Sequence, residues 1–157
     1  MTVPKVLIFG YGNPGRGDDA LGPELIEAIE AKALPDVECQ VDMQLQVEHV
    51  TDLIGRNRIL FIDADMSCHE PYTFRALQAE KNDSYTSHAM SPAALLHAYH
   101  HVYGTHANNA YLLSIRGSHF ELGDNLSESA RINLLLAIEA AQKFCTEANH
   151  PFSFEHP

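Results

Sequence analysis

No stretch of this 157-residue chain is apolar over the roughly 18–20 residues that a helix needs to cross a bilayer. Met-Thr-Val-Pro-Lys runs directly into an apolar strand, without the longer apolar core of a secretory signal, so the expected location is cytoplasmic. Basic charge is scarce: 10 Lys and Arg stand against 21 Asp and Glu, a net −11, which excludes a polyanion such as nucleic acid as partner. Cysteine is scarce too. Cys39, Cys68 and Cys145 are an odd number, far apart and without a CxxC pair, which suits reduced thiols rather than a disulfide framework. Repeats, low-complexity tracts and linkers are missing, so residues 1–157 are expected to form one domain with an irregular tail at 149–157. A Ser-His-Asp pattern and a nucleophile elbow are also missing.

What is present alternates between strand and helix. Val6-Leu7-Ile8-Phe9 is a continuous apolar run, the mark of a strand buried on both faces. Leu21, Leu25, Ile26 and Ile29 then follow helical spacing within residues 20–32. Residues 37–43 alternate as a second strand, 47–56 suit a short helix, and Ile59-Leu60-Phe61-Ile62 is a third strand ending at Asp63. The next strand, 72–79, begins after about eight residues, fewer than the dozen or so that a parallel crossover needs, so it should run antiparallel at an edge. Ser91 and Pro92 read as N-cap and first residue of a helix reaching Tyr103. Tyr111–Ile115 is the last strand. A final helix opens at Leu126-Ser127-Glu128, with Leu134, Leu135, Ile138 and Ala141 on one face. The implied fold is an α/β three-layer sandwich: five strands, mostly parallel, one antiparallel edge strand, helices on both faces.

Ligands in such sheets bind beyond the carboxyl ends of the strands. Three polar features fall there: Asp18 and Asp19 after the first strand, Asp63 (with Asp65 nearby) after the third, and His88 after the fourth. Two carboxylates and an imidazole suit a divalent metal with open positions. Singly, each has a plainer reading, as helix cap, loop cap or surface histidine. Gly10-Tyr-Gly-Asn-Pro-Gly15 also matches the dinucleotide fingerprint, with Asp42 as its ribose acid. Two acids at the helix start and a proline lacking an N–H oppose an anion there. His97, His100, His101 and His106 form a second candidate metal cluster, against a solvated helix face. Cys68 is a candidate nucleophile, against a plain loop thiol.

Four stretches together resemble the hydrogenase maturation endopeptidases: GYGNPGRGDDALGPELIEAI at 10–29, ILFIDADMS at 59–67, SHAMSPAALLHAY at 87–99 and FELGDNLSESARINLLLAIEAA at 120–141. The first is closest to members serving NAD-coupled, bidirectional hydrogenases. The resemblance implies an aspartyl-endopeptidase-like protease that removes the C-terminal extension of the nickel-loaded large subunit of a nickel–iron hydrogenase. Its metal and catalytic residues would be Asp19, Asp63 and His88, with nickel carried by the substrate and bound only transiently. Many relatives have Glu at the position of Asp19, which leaves Asp18 as an alternative, and Asp65 is an alternative to Asp63. The expected partner is the immature large subunit, and the protein itself is expected to be a monomer. Two other readings stay open: a non-catalytic nickel-checking chaperone of that subunit, and a nucleotide-binding module.

Overall fold

A computed structural model describes residues 2–81 and 90–147. Five strands form one sheet: β1 (Val6–Tyr11), β2 (Val37–Asp42), β3 (Arg58–Asp65), β4 (Tyr72–Ala76) and β5 (Ala110–Arg116), in the order β2-β1-β3-β5-β4. β1, β2, β3 and β5 are parallel, and β4 runs antiparallel to β5 at the edge, as its short connection requires. Three helices, α1 (Leu21–Glu30), α2 (Pro92–Tyr103) and α3 (Glu128–Thr146), complete the fold.

The two faces of the sheet carry separate cores. Val6, Ile8, Leu60, Ile62 and Leu113 point to α1 and α3, and Leu7, Phe9, Ile59, Phe61 and Leu112 point to α2 and the 3-10 helix Val47–Leu53. β1 and β3 are buried on both sides, which is why they read as unbroken apolar runs. The chain leaves β1 toward β2 on one side, then returns to β3 on the other. The crevice beyond β1 and β3 is therefore the topological switch point.

Local sequence explains most boundaries. The Ser91 hydroxyl accepts from Ala94 N–H at 3.1 Å, Pro92 starts α2, and Gly104 ends it with φ +72°. Residues 47–53 are a 3-10 helix rather than the α-helix that spacing suggests, closed by reciprocal bonds between Gln46 and His49. α1 is preceded by a separate 3-10 turn, Gly17–Ala20, which contains both aspartates.

On α3 one residue of the expected face departs, since Ala141 is buried and Leu134 and Ile138 pack on the core but Leu135 does not. α3 turns inward its small stripe, Ala130, Ala137, Ala140 and Ala141 with Asn133, Phe144 and Cys145. Leu134 and Ile138 are only partly buried against the core, and Leu135 is 66% exposed. Alanines let the helix lie close to α1 and the sheet, and position 135 falls on the outer side with Ile132 and Leu136.

Candidate active site at the carboxyl edge of the sheet

β1 extends to Tyr11, two residues beyond its apolar run, and this length matters. Side chains alternate along strands, so Tyr11, Asp63 and Ser114 all project on the α2 face of the sheet. The Tyr11 hydroxyl donates to Asp63 Oδ2 at 3.0 Å. Asp63 Oδ1 is buried and has no hydrogen-bond partner among the described residues. Ser114, paired in register with Asp63, lies close enough to favour its charged form but makes no bond to Oδ1. Burial pushes the Asp63 carboxyl up to about 6. Tyr11 and Ser114 pull against the shift, the negative charge of Asp65 adds to it, and Arg75 opposes it. Burial, with the Asp63 charge, likewise holds the Tyr11 phenol well above its ordinary range, so it stays a donor.

The adjacent aspartates separate completely. Asp18 is fully buried, and both its oxygens are taken: Oδ2 accepts from Ser118 N–H (2.8 Å), His119 N–H (3.1 Å) and the Ser127 hydroxyl (2.7 Å), and Oδ1 from Ser127 N–H (2.7 Å). Burial alone would raise its pKa, but these bonds together hold it below the ordinary value. Ser127 is also the N-cap of α3, its hydroxyl accepting from Ala130 N–H at 3.2 Å. Asp18 therefore ties the glycine-rich loop to the start of α3 rather than capping its own helix.

Asp19 faces the other way. Its Oδ2 accepts from Asn13 N–H at 2.7 Å, and it is only partly buried. The approach is possible because residue 12 is glycine: a Cβ there would sit 2.1 Å from the Asp19 carbonyl oxygen, and its φ is +147°. Tyr11 and Asn13 flank that glycine, so two residues one apart hold the two carboxylates, Tyr11 that of Asp63 through its hydroxyl and Asn13 that of Asp19 through its N–H. Gly22 does similar work one turn on, where a Cβ would meet the carbonyls of Tyr11 and Ile62. It lets α1 begin against the ends of β1 and β3.

The same loop has nothing left for a phosphate. The N–H groups of Gly12, Asn13, Gly15, Arg16, Gly17, Asp18 and Asp19 all donate within the protein, and residue 14 is proline. A phosphate cradle needs those donors free. The resemblance to a dinucleotide fingerprint thus has a different physical meaning: the glycines bring acids close.

Asp65 is also accounted for. Its Oδ1 accepts from the Ser67 N–H and hydroxyl, each at 2.8 Å, and the Ser67 N–H is the main cause of its lowered pKa. Cys68 donates to the carbonyls of Ser114 (3.5 Å) and Asp65 (3.8 Å), and burial with the nearby carboxylates pushes its thiol up to about 11. At neutral pH it is protonated, which removes it as a nucleophile. On α2, His100 stacks on His106 with ring centroids 3.8 Å apart, and His101 is exposed. Among the described residues no cluster of three metal-ligating side chains occurs, there or elsewhere. His88 lies outside the described residues. Sequence reasoning did not single out Tyr11, although an aromatic hydroxyl at the end of a buried strand was a visible signal.

An α/β domain that carries Asp19 and Asp63 beyond the carboxyl ends of β1 and β3, at its switch point, has the fold of the hydrogenase maturation proteases. HybD, the hydrogenase maturating endopeptidase of E. coli, superposes with a TM-score of 0.72 at 23% identity, over 92% of this chain and 94% of its own. The maturation protease HycI of Thermococcus kodakarensis KOD1 gives 0.68 at 20% identity, over 92% and 94%. An endopeptidase from Escherichia coli, solved in solution, gives 0.69 at 24% identity, over 90% and 94%. At these identities the likeness is one of fold. No protein-family model and no curated protein matches the chain.

Proposed function

We propose that this protein is an endopeptidase that removes the C-terminal extension of the nickel-loaded large-subunit precursor of a nickel–iron hydrogenase. The observation that carries the reading is the buried Oδ1 of Asp63, which has no hydrogen-bond partner among the described residues, at the carboxyl edge of the sheet where Asp19 also stands. A buried carboxylate oxygen without a donor is rare and calls for an occupant. A cation on the substrate would supply one. Oxygen donors from Asp19 and Asp63, with the imidazole of His88, fit a borderline ion held only for the duration of the reaction. Nickel belongs to the substrate in this reading, and gripping it would align the scissile bond.

Tyr11 fixes the orientation of Asp63, turning Oδ2 toward itself and leaving Oδ1 for the substrate. With its carboxyl pushed up to about 6, Asp63 is ionised at neutral pH yet basic enough to exchange a proton with attacking water or the leaving amine. The solved structures that share the fold include hydrogenase maturation proteases, which supports the same substrate class. The three free cysteines, with burial raising each thiol, accord with a cytoplasmic site of action.

The test is incubation of nickel-loaded precursor with the purified protein, read by intact mass. The wild type should shorten the precursor by its extension, and Asp63→Asn and His88→Ala should abolish the mass loss while remaining folded by circular dichroism. Full processing by both variants overturns the site. A stable complex without any mass loss supports the nickel-checking chaperone instead.

A further inference from the structure

The outer side of α3 carries an apolar patch that the domain does not cover. Ile132, Leu135 and Leu136 are 57%, 66% and 42% exposed, and their i, i+3, i+4 spacing gathers them on one helix face. Single exposed apolar residues are ordinary, but a contiguous group marks a contact surface. The charges around the patch are ordered along the helix. Arg131 stands four residues before Leu135 and Glu139 four after it, Glu128 seven before and Lys143 eight after. Glu128, Arg131 and Glu139 are exposed and make no ion pair among the described residues. Lys143 reaches only Glu147, at 3.9 Å and in the open.

We infer that this face pairs with the same face of a second copy of the chain, the two α3 helices running antiparallel about a two-fold axis at Leu135. Such an axis sets each residue before Leu135 opposite the partner residue equally far after it. Arg131 then meets the partner's Glu139, and Glu139 meets the partner's Arg131. Glu128 and the partner's Lys143 fall within one residue of level, about 1.5 Å along the axis. All four links join opposite charges around the apolar centre, whereas a parallel pairing in register would set like against like. That symmetry names the occupant: the signs invert about the helix's own apolar centre, so the face is complementary to itself reversed. α3 lies on the side of the sheet opposite to Tyr11 and Asp63, so the pairing does not involve them. The chain then works as a dimer rather than the monomer expected from its sequence.

Sedimentation velocity of the purified full chain, over about 5–200 µM, reads the assembly. The wild type should pass from monomer to dimer as concentration rises, and Leu135→Glu should stay monomeric throughout. Arg131→Glu and Glu139→Arg, each alone, set like charges opposite and should weaken the dimer about tenfold. The combined variant Arg131→Glu/Glu139→Arg restores opposite charges across the axis and should recover wild-type association. All three positions are exposed, so each variant should keep the wild-type circular dichroism spectrum. A wild type that is monomeric at every concentration overturns the pairing, as does a dimer that survives Leu135→Glu. Single charge variants that associate like the wild type, or a combined variant no better than either single one, overturn the antiparallel arrangement.

Discussion

Asp63 works against the fold that contains it, since one of its oxygens is buried without a donor among the described residues. Its carboxyl is raised to about 6 in the folded chain from an ordinary 3.8, chiefly by burial. The folded state thus binds more protons than the unfolded state between those values, and the protein loses stability as pH rises from about 4 to about 6. Above that window the full cost, about 3 kcal/mol, is present. Asp63→Asn removes the buried charge while its carbonyl can still accept from Tyr11. Calorimetry at pH 8 should show it about 1–2 kcal/mol more stable than wild type, a Tm rise of roughly 2–8 °C, and at pH 4 little different. A variant less stable at pH 8 would mean that Asp63 is a structural residue. The expected pairing of higher stability with lost processing marks a group retained for chemistry.

Among elements, the link between the Gly17–Ala20 turn and α3 carries most consequence. Asp18 accepts four hydrogen bonds from residues about a hundred positions away and braces the N-cap of α3 through Ser127. Asp18→Ala strands those donors and should cost about 3 kcal/mol or more. Hydrogen exchange should show the first turn of α3 and residues 118–119 losing protection before the sheet does. Because these bonds depress the Asp18 pKa, its contribution is present above about pH 4 and is lost as pH falls further. Unchanged protection in the variant would refute the brace. The two aspartates are adjacent in sequence, and composition alone treats them alike. Their division rests on the segment 117–127, which no local pattern around residue 18 reveals. The same limit explains α3. Spacing grouped Leu135 with Leu134, Ile138 and Ala141, but where the buried stripe ends is set by the packing of α3 on α1 and β5, and Leu135 falls outside it.

At the scale of the whole molecule, a net charge of −11 and a loop with its N–H groups all engaged both turn away anions. NAD and ATP should therefore leave the thermal midpoint unchanged in a fluorescence melt. A rise that grows with nucleotide concentration would restore the nucleotide-binding reading. Among the described residues no helix is long and apolar enough to cross a membrane.

The sequence by itself determined the order of elements, the antiparallel edge strand and the caps of α2 and α3. Each follows from interactions within a few residues: unbroken apolar runs, a connection too short for a crossover, Ser-Pro and Ser-Glu at helix starts. It also determined which acids reach the carboxyl edge of the sheet, because strand ends place them there. Tertiary structure alone decided what each acid is for. Asp18 became a brace because a distant loop supplies it with donors, Asp65 a turn residue because Ser67 folds back on it, and Asp19 an outward carboxylate because Gly12 allows close approach. Asp63 kept a buried oxygen with no partner among the described residues, because Tyr11, its neighbour across the sheet, donates to the other oxygen.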